Sequence, residues 1–278
     1  VKGEGLTLAA TYLMYNSQRY GIFNPEMIRG RGCWIDGKRT VIHAGTNLVV
    51  DGKKIDIAQF KSSYIYPRYQ PIRVDVDNPL PASEAHKFMQ ICERLLWERP
   101  IYATLLAGWC VIAPMSGALG WRPHIWITSK AGSGKSWVMD NIIRPMMRDF
   151  GLFVQGRTTE AGIRQQLKSD ALPVLFDEAE SENQKAASSI ESILALMRQA
   201  SSETGGKIIK GTAGGKAQGF SVRSCLALSS IAVRLEHNSD ISRTSVLSLL
   251  QDNSDAAQVL FTKLKDDVHE TLTPEYCQ

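Results

Sequence analysis

The chain has 278 residues, of which 44% are hydrophobic and 22% charged. That composition is ordinary for a globular protein and sets disorder aside as the default reading, and the length suits one large domain or two modest ones. Thirty-two basic residues face 28 acidic ones, a net charge of +4. So mild an excess permits a nucleic-acid partner without requiring one, and its placement matters more than its sum.

In chain order, residues 6–20 read as a helix. Short β-like runs follow at Thr40-Val41-Ile42-His43, Asn47-Leu48-Val49-Val50 and Tyr64-Ile65-Tyr66, with Asp36-Gly37 and Asp51-Gly52 as hairpin turns between them. Residues 1–80 are therefore expected to form a small α+β accessory domain, closed by the linker Asp77-Asn78-Pro79-Leu80-Pro81. Ser83 is a candidate cap for a helix to about residue 97, striped by Phe88, Ile91, Cys92 and Leu95. Pro100 ends it and opens the next helix, 101–112. Residues 81–122 then form a helical bundle or collar. The most apolar stretch, 101–119, is broken by Pro114 and is too short for a membrane span, which needs about 20 apolar residues.

From His124 the pattern changes to strand, loop, helix, strand. Short apolar strands are expected at 124–128, 152–154, 172–176 and 224–228. Helices are expected at about 136–143 and 183–199, the latter with Ile190, Ile193, Leu194 and Met197 on one buried face. Strands alternating with helices imply an α/β core, a parallel sheet covered on both faces. That core spans 123–250, with a C-terminal helical segment at 251–278. Cys33, Cys92, Cys110, Cys225 and Cys277 form no CxxC pair and no zinc spacing with a histidine. Buried, reduced thiols and a cytoplasmic setting follow. The chain opens on Val1 rather than Met, which predicts a fragment or processed product.

The strand at 124–128 runs into Ser129-Lys130-Ala131-Gly132-Ser133-Gly134-Lys135-Ser136. Apart from Ser129 in place of the first glycine, this is the phosphate-loop pattern G-x-x-x-x-G-K-[ST]. Glycines let backbone N–H groups converge on phosphate oxygens with no Cβ in the way, and the following helix offers its positive end. Ser129, Ala131, Gly132, Ser133, Gly134, Lys135 and Ser136 are thus the candidate ATP-binding set. Lys135 would bridge the β- and γ-phosphates, and Ser136 would offer its hydroxyl to Mg²⁺. The bland alternative, a Gly/Ser turn, does not account for the strand before and the helix after.

About forty residues on, an apolar strand ends in Asp177-Glu178. Alone, that is a common exposed turn. One αβ unit after a phosphate loop, it reads as the acidic pair of an ATPase. Asp177 would hold Mg²⁺, and Glu178 would orient and deprotonate the attacking water, which points to hydrolysis rather than phosphoryl transfer to a metabolite. Residues 205–220 then read as a glycine-rich hairpin carrying Lys207, Lys210 and Lys216, able to meet a phosphate backbone with little base preference. By itself this hairpin is more simply a solvated surface feature. The apolar strand that follows ends in Ser229-Ser230. Either serine is a candidate γ-phosphate sensor, Ser230 foremost. Arg243 is a candidate arginine finger for a neighbouring subunit, since an arginine neutralises transition-state charge without titrating; Arg234 is a weaker one. A plain surface ion pair is the alternative for Arg243.

The order of phosphate loop, LPVLFDEAE, KIIKGTAGGKAQGF hairpin, CLALSSI strand and SDISR resembles AAA+ ATPases of the superfamily 3 helicase type, found in phage and poxvirus primase–helicases. The resemblance covers residues 123–250, and Gly30-Arg31-Gly32-Cys33-Trp34-Ile35-Asp36 is similar to sequence that precedes the ATPase in phage primase–helicases. It implies a homo-oligomeric, hexameric ring of phage or prophage origin, with the hairpin lining a pore that grips single-stranded DNA. Lys210 and Lys216 then become the DNA contacts, and Arg243 acts in trans. A primase or polymerase domain alongside is also implied. Serine at the sensor position departs from the usual asparagine. Competing readings are a ring ATPase acting on protein, disfavoured by a hairpin tip without aromatics, a nucleotide switch, disfavoured by Glu178, and a small-molecule kinase, for which no acceptor motif is present. Residues 1–80 are open between an oligomerisation collar, a domain admitting DNA and a partner-docking site.

Overall fold

The computed structural model describes residues 3–19, 24–156, 158–177, 179, 184–202, 208–211, 217–233 and 235–277. The first helix, α1 (Gly3–Gln18), buries none of its residues. A four-stranded antiparallel sheet follows, with β1 (Gly32–Asp36), β2 (Arg39–His43), β3 (Asn47–Val50) and β4 (Lys53–Asp56) in sequential order. Both expected hairpins close in two-residue loops, Asp51-Gly52 as read and the first one residue later, at Gly37-Lys38, with Asp36 still paired to Arg39. Asp51 and Gly52 have φ of +48° and +80°, the signs of a type I′ turn, and Gly37 at +63° opens a type II′ turn. Alternation places Trp34, Val41, Leu48 and Val50 in one cluster with Tyr66 and Ala171. The third expected run, Tyr64-Ile65-Tyr66, is not a strand: it makes a single bridge, Ile28 to Ile65.

This sheet is fastened to the rest of the chain at the start of β1. Arg31 donates through Nε and Nη2 to Asp170 Oδ2 at 2.9 and 2.6 Å, and its backbone N–H donates to Asp170 Oδ1 at 2.7 Å. The approach needs glycine at position 30, where a Cβ would lie 2.6 Å from the backbone of Ser169 and Asp170.

Helix α2 (Ala82–Glu93) begins after Pro81, with no side-chain cap; Ser83 lies inside it rather than at its start. Helix α3 (Ile101–Ile112) follows Pro100 as expected. Their buried residues Phe88, Ile91, Leu106 and Cys110 share one cluster with Ile125 and Ile127 of the larger sheet.

That larger sheet is wholly parallel and five-stranded: β5 (His124–Thr128), β6 (Leu152–Gln155), β7 (Val174–Asp177), β10 (Leu226–Ser230) and β11 (Thr244–Ser248), in the order β11-β5-β10-β7-β6. The fold is therefore α/β. After β5 the chain forms α4 (Lys135–Val138), a π-helical turn (Met139–Ile143) and α5 (Arg144–Met147). These pack on one face with α2, α3 and α9 (Asp255–Thr271). The other face is covered by α6 (Glu160–Leu167) and α7 (Gln184–Ala200). A two-stranded antiparallel hairpin, β8 (Ile208–Gly211) and β9 (Ala217–Phe220), precedes β10, and a short α8 (Asn238–Ile241) precedes β11. All five cysteines are free, four of them buried.

Candidate active site

Parallel strands deliver their carboxyl ends to one edge, where ligands of open α/β sheets bind. Thr128 pairs in register with Ser230, and Leu228 with Phe176, so the ends of β5, β10 and β7 are level. The phosphate loop springs from β5, an inner strand. Gly132 and Gly134 have φ of +77° and +87°, a region closed to most side chains. A Cβ on Gly134 would meet nothing within 4 Å, so the loop opens onto free space on that side. Ser129 is 8% exposed and is not among the positive-φ residues, so its Cβ is accommodated without strain and the departure from glycine costs the loop nothing. Ala131 is exposed. Ser133 Oγ is buried and finds no partner among the described residues. Lys135 Nζ donates to the Ser129 carbonyl at a long 3.4 Å, and Ser136 is exposed at the helix start.

Two strands over, Asp177 closes β7. Strand alternation settles which side chains share its side of the sheet. Ile125, Ile127, Leu175 and Ala227 lie in the cluster that holds the phosphate-loop helix, whereas Trp126, Phe176 and Leu228 lie in the opposite one. Period two then puts Asp177 and Ser229 on the phosphate-loop side. Ser229 Oγ donates to Asp177 Oδ1. Ser230 is turned away: its Oγ accepts from Trp126 Nε1 at 2.8 Å and donates to the Ala232 carbonyl at 2.7 Å. The hydroxyl beside the carboxylate is thus Ser229's, because a one-residue step in a strand reverses the face.

Glu178, Lys207, Lys216 and Arg234 lie outside the described residues. Lys210 sits in β8 with its backbone paired to Gln218. Arg243 is found at the opposite end of the sheet, beside the first residue of β5; its carbonyl accepts from the His124 N–H at 3.1 Å. Its guanidinium donates to the Ser239 carbonyl at 2.6 Å and lies 5.4 Å from the centre of the Trp121 ring. Arg198 grips Asp240, three residues before Arg243, through two bonds of 2.9 and 2.7 Å. No sequence signal marks that pair, since single charges far apart in the chain carry no motif. His124 itself is fully buried. Nδ1 accepts from the Leu226 N–H at 3.0 Å, so Nε2 bears the proton and faces the Met197 carbonyl and Ser201 Oγ, both at 2.9 Å. Burial pushes its pKa down to about 4.

No protein-family model and no curated protein matches the chain. Among solved structures, the apo C-terminal region of NrS-1 is similar over 85% of this chain and 64% of its own length, at 11% identity and a TM-score of 0.39. The JCV helicase bound to an acetamide compound is similar over 72% of this chain and 55% of its own, at 8% identity and 0.40. Hsp104 in a closed state with ATPγS and FITC casein is similar over 69% and 39%, at 14% identity and 0.40. The chain thus spans under two thirds of each of these proteins. Likenesses this loose establish neither family nor activity, and the functional reading rests on the residues themselves.

Proposed function

We propose that the chain is an ATP hydrolase that drives translocation on DNA, and its unwinding, as a hexameric ring. The observation that carries the reading is the convergence of a glycine-shaped phosphate loop and the Asp177–Ser229 pair at one carboxyl edge, on one side of the sheet. The residues fit Mg·ATP. The loop's open side, the unpartnered Ser133 hydroxyl and the loosely held Lys135 ammonium are what a triphosphate would complete. Ser136 and Asp177 would hold Mg²⁺. A hard ion held mainly by phosphates and water needs few protein ligands, and no cluster of three acidic, His or Cys side chains occurs among the described residues. When bound, Mg·ATP supplies the scissile phosphoanhydride bond.

The chain's own part is positioning. Loop N–H groups cradle phosphate oxygens, and Lys135 leaves the Ser129 carbonyl to neutralise charge between β- and γ-phosphates. Ser229 fixes the rotamer of Asp177. Glu178, next in sequence, takes a proton from the attacking water. Lys210 of β8, with Lys207 and Lys216 near it in sequence, would grip the DNA strand in the pore, and Arg243 would serve the neighbouring subunit.

Steady-state ATP hydrolysis with and without single-stranded DNA tests this, for the wild type and Lys210→Ala/Lys216→Ala. Stimulation by DNA that vanishes in the double variant is expected. Robust hydrolysis indifferent to DNA in both would leave the ATPase standing and replace the translocase with a machine that remodels or loads proteins.

A further inference from the structure

The small antiparallel sheet carries the chain's positive charge. Residues 24–73 hold nine basic and four acidic side chains, an excess of five, against +4 for the whole chain; the remainder has 23 basic and 24 acidic residues. Its two hairpins repeat one pattern, Ile35-Asp36-Gly37-Lys38-Arg39 and Val50-Asp51-Gly52-Lys53-Lys54. Up-and-down order brings both tips to the same end of the sheet, and the Asp51 N–H donates to the Thr40 carbonyl at 3.0 Å, which holds them side by side. Arg39 Nη2 donates to the Lys61 carbonyl at 3.2 Å and so adds Lys61 to the group.

Lys38, Lys53, Lys54 and Lys61 are exposed and Arg39 half-buried. The two carboxylates there are largely occupied. Buried Asp36 accepts from Ser62 Oγ at 2.5 Å and from Tyr66 at 3.3 Å, and lies 3.6 Å from Arg39. Asp51 Oδ1 accepts from the Thr40 N–H at 2.9 Å. The opposite end of β1 is the one docked to Asp170 and Ala171. The cations therefore project away from the ATPase core, roughly 16 Å along the strand from the docking point.

We propose that this pole binds the phosphate backbone of nucleic acid, duplex in preference to single strand. Four flexible ammonium groups on two tips roughly 10 Å apart match a ladder of phosphates across a groove about 12 Å wide. The large hydrophobic side chains exposed on this module are Ile35 and Ile65, neither of them a ring on which an unstacked base would lie. The contact is sequence-independent and does not depend on the hydrolysis site.

The test is fluorescence anisotropy of the full chain on a labelled 20-base-pair duplex and on one of its strands, across a salt series. Lys38→Ala/Lys53→Ala/Lys54→Ala/Lys61→Ala should weaken duplex binding about 100-fold and flatten the log–log salt slope by about 3.6, near 0.9 for each phosphate no longer neutralised. Lys38→Glu/Lys53→Glu, also at exposed positions, should weaken it to a similar degree. Hydrolysis without DNA should be unchanged in both. Lys210→Ala/Lys216→Ala should leave the duplex slope intact, so failure of the pore hairpin and failure of this pole are separable. An unchanged slope in the quadruple variant would overturn the proposal. So would polyglutamate competing as well as duplex, which would identify an acidic protein partner instead.

Discussion

At the residue scale, the site turns on which of two adjacent serines faces the carboxylate. Ser229→Ala removes a charge-assisted hydrogen bond from Asp177, an interaction worth about 1.5–3 kcal/mol. It is expected to lower kcat for ATP about tenfold or more, with little change in KM. Ser230→Ala strands the buried Trp126 N–H instead and should cost about 1–3 kcal/mol of stability with kcat retained. Steady-state kinetics paired with urea unfolding separates the two, and the reverse pattern would return the role to Ser230. His124 makes a second prediction. Its folded pKa of about 4 lies below the ordinary 6.5, so between those values the unfolded chain binds the extra proton. Its contribution to stability is complete above pH 6.5 and is lost as pH falls toward 4, at up to about 1.4 kcal/mol per pH unit. Urea unfolding at pH 7 and pH 5 should show a smaller pH-dependent loss in His124→Asn than in the wild type. Buried His43 shifts in the same direction, so the difference between the two proteins, not the total, is His124's share.

At the element scale, the helix after the phosphate loop shows how local chemistry bends a regular element. Pro145 has no N–H to offer and its ring crowds the preceding turn. The chain answers with a π-helical turn over Met139–Ile143, closed by the Arg144 N–H on the Met139 carbonyl. The docking of the small sheet is a similar local necessity. Gly30→Ala forces a Cβ to within 2.6 Å of the Ser169–Asp170 backbone, and overpacking of this kind costs about 1–3 kcal/mol or more. A lowered melting temperature is expected. An unchanged one would mean that the sheet can lift from Asp170 at no cost. Elements of this sort differ in how much of them can be read beforehand. The buried strands at 124–128 and 174–177 announce themselves as apolar runs, and the phosphate loop as a motif. β11, Thr244-Ser245-Val246-Leu247-Ser248, carries no such signal, because three of its five residues are polar and no apolar run marks it. The run Tyr64-Ile65-Tyr66 has the composition of a strand but lacks a partner beyond one bridge. The face of Ser229 follows from strand register, which requires knowing where β10 pairs. The Arg31–Asp170 lock joins residues 139 positions apart, and no local pattern encodes it.

At the scale of the whole molecule, the phosphate loop and Arg243 lie at opposite ends of one strand pair. Ser248 pairs with Thr128 at the loop end, and Thr244 with His124 at the other. Five residues of strand separate the two by roughly 16 Å, beyond the reach of an arginine side chain. Arg243 cannot serve its own site, but a head-to-tail ring would present it to the next one, because heterologous interfaces join unlike ends. Arg198 and Asp240 hold the turn that carries it, and its guanidinium rests on Ser239 and Trp121. Arg243→Ala alone should hydrolyse ATP at least 1,000-fold more slowly with nucleotide binding retained, the scale for an arginine finger. Asp177→Ala should be as slow for want of its metal ligand. Mixed in equal amounts and allowed to exchange subunits, the two should regain activity. In a random ring about a quarter of interfaces pair an intact Asp177 with an intact Arg243 from the next subunit. Recovery toward about a quarter of the wild-type rate is therefore expected. If Arg243 acted within its own subunit or merely braced the fold, no interface in the mixture would be repaired, and the rate would stay at the average of the two dead variants.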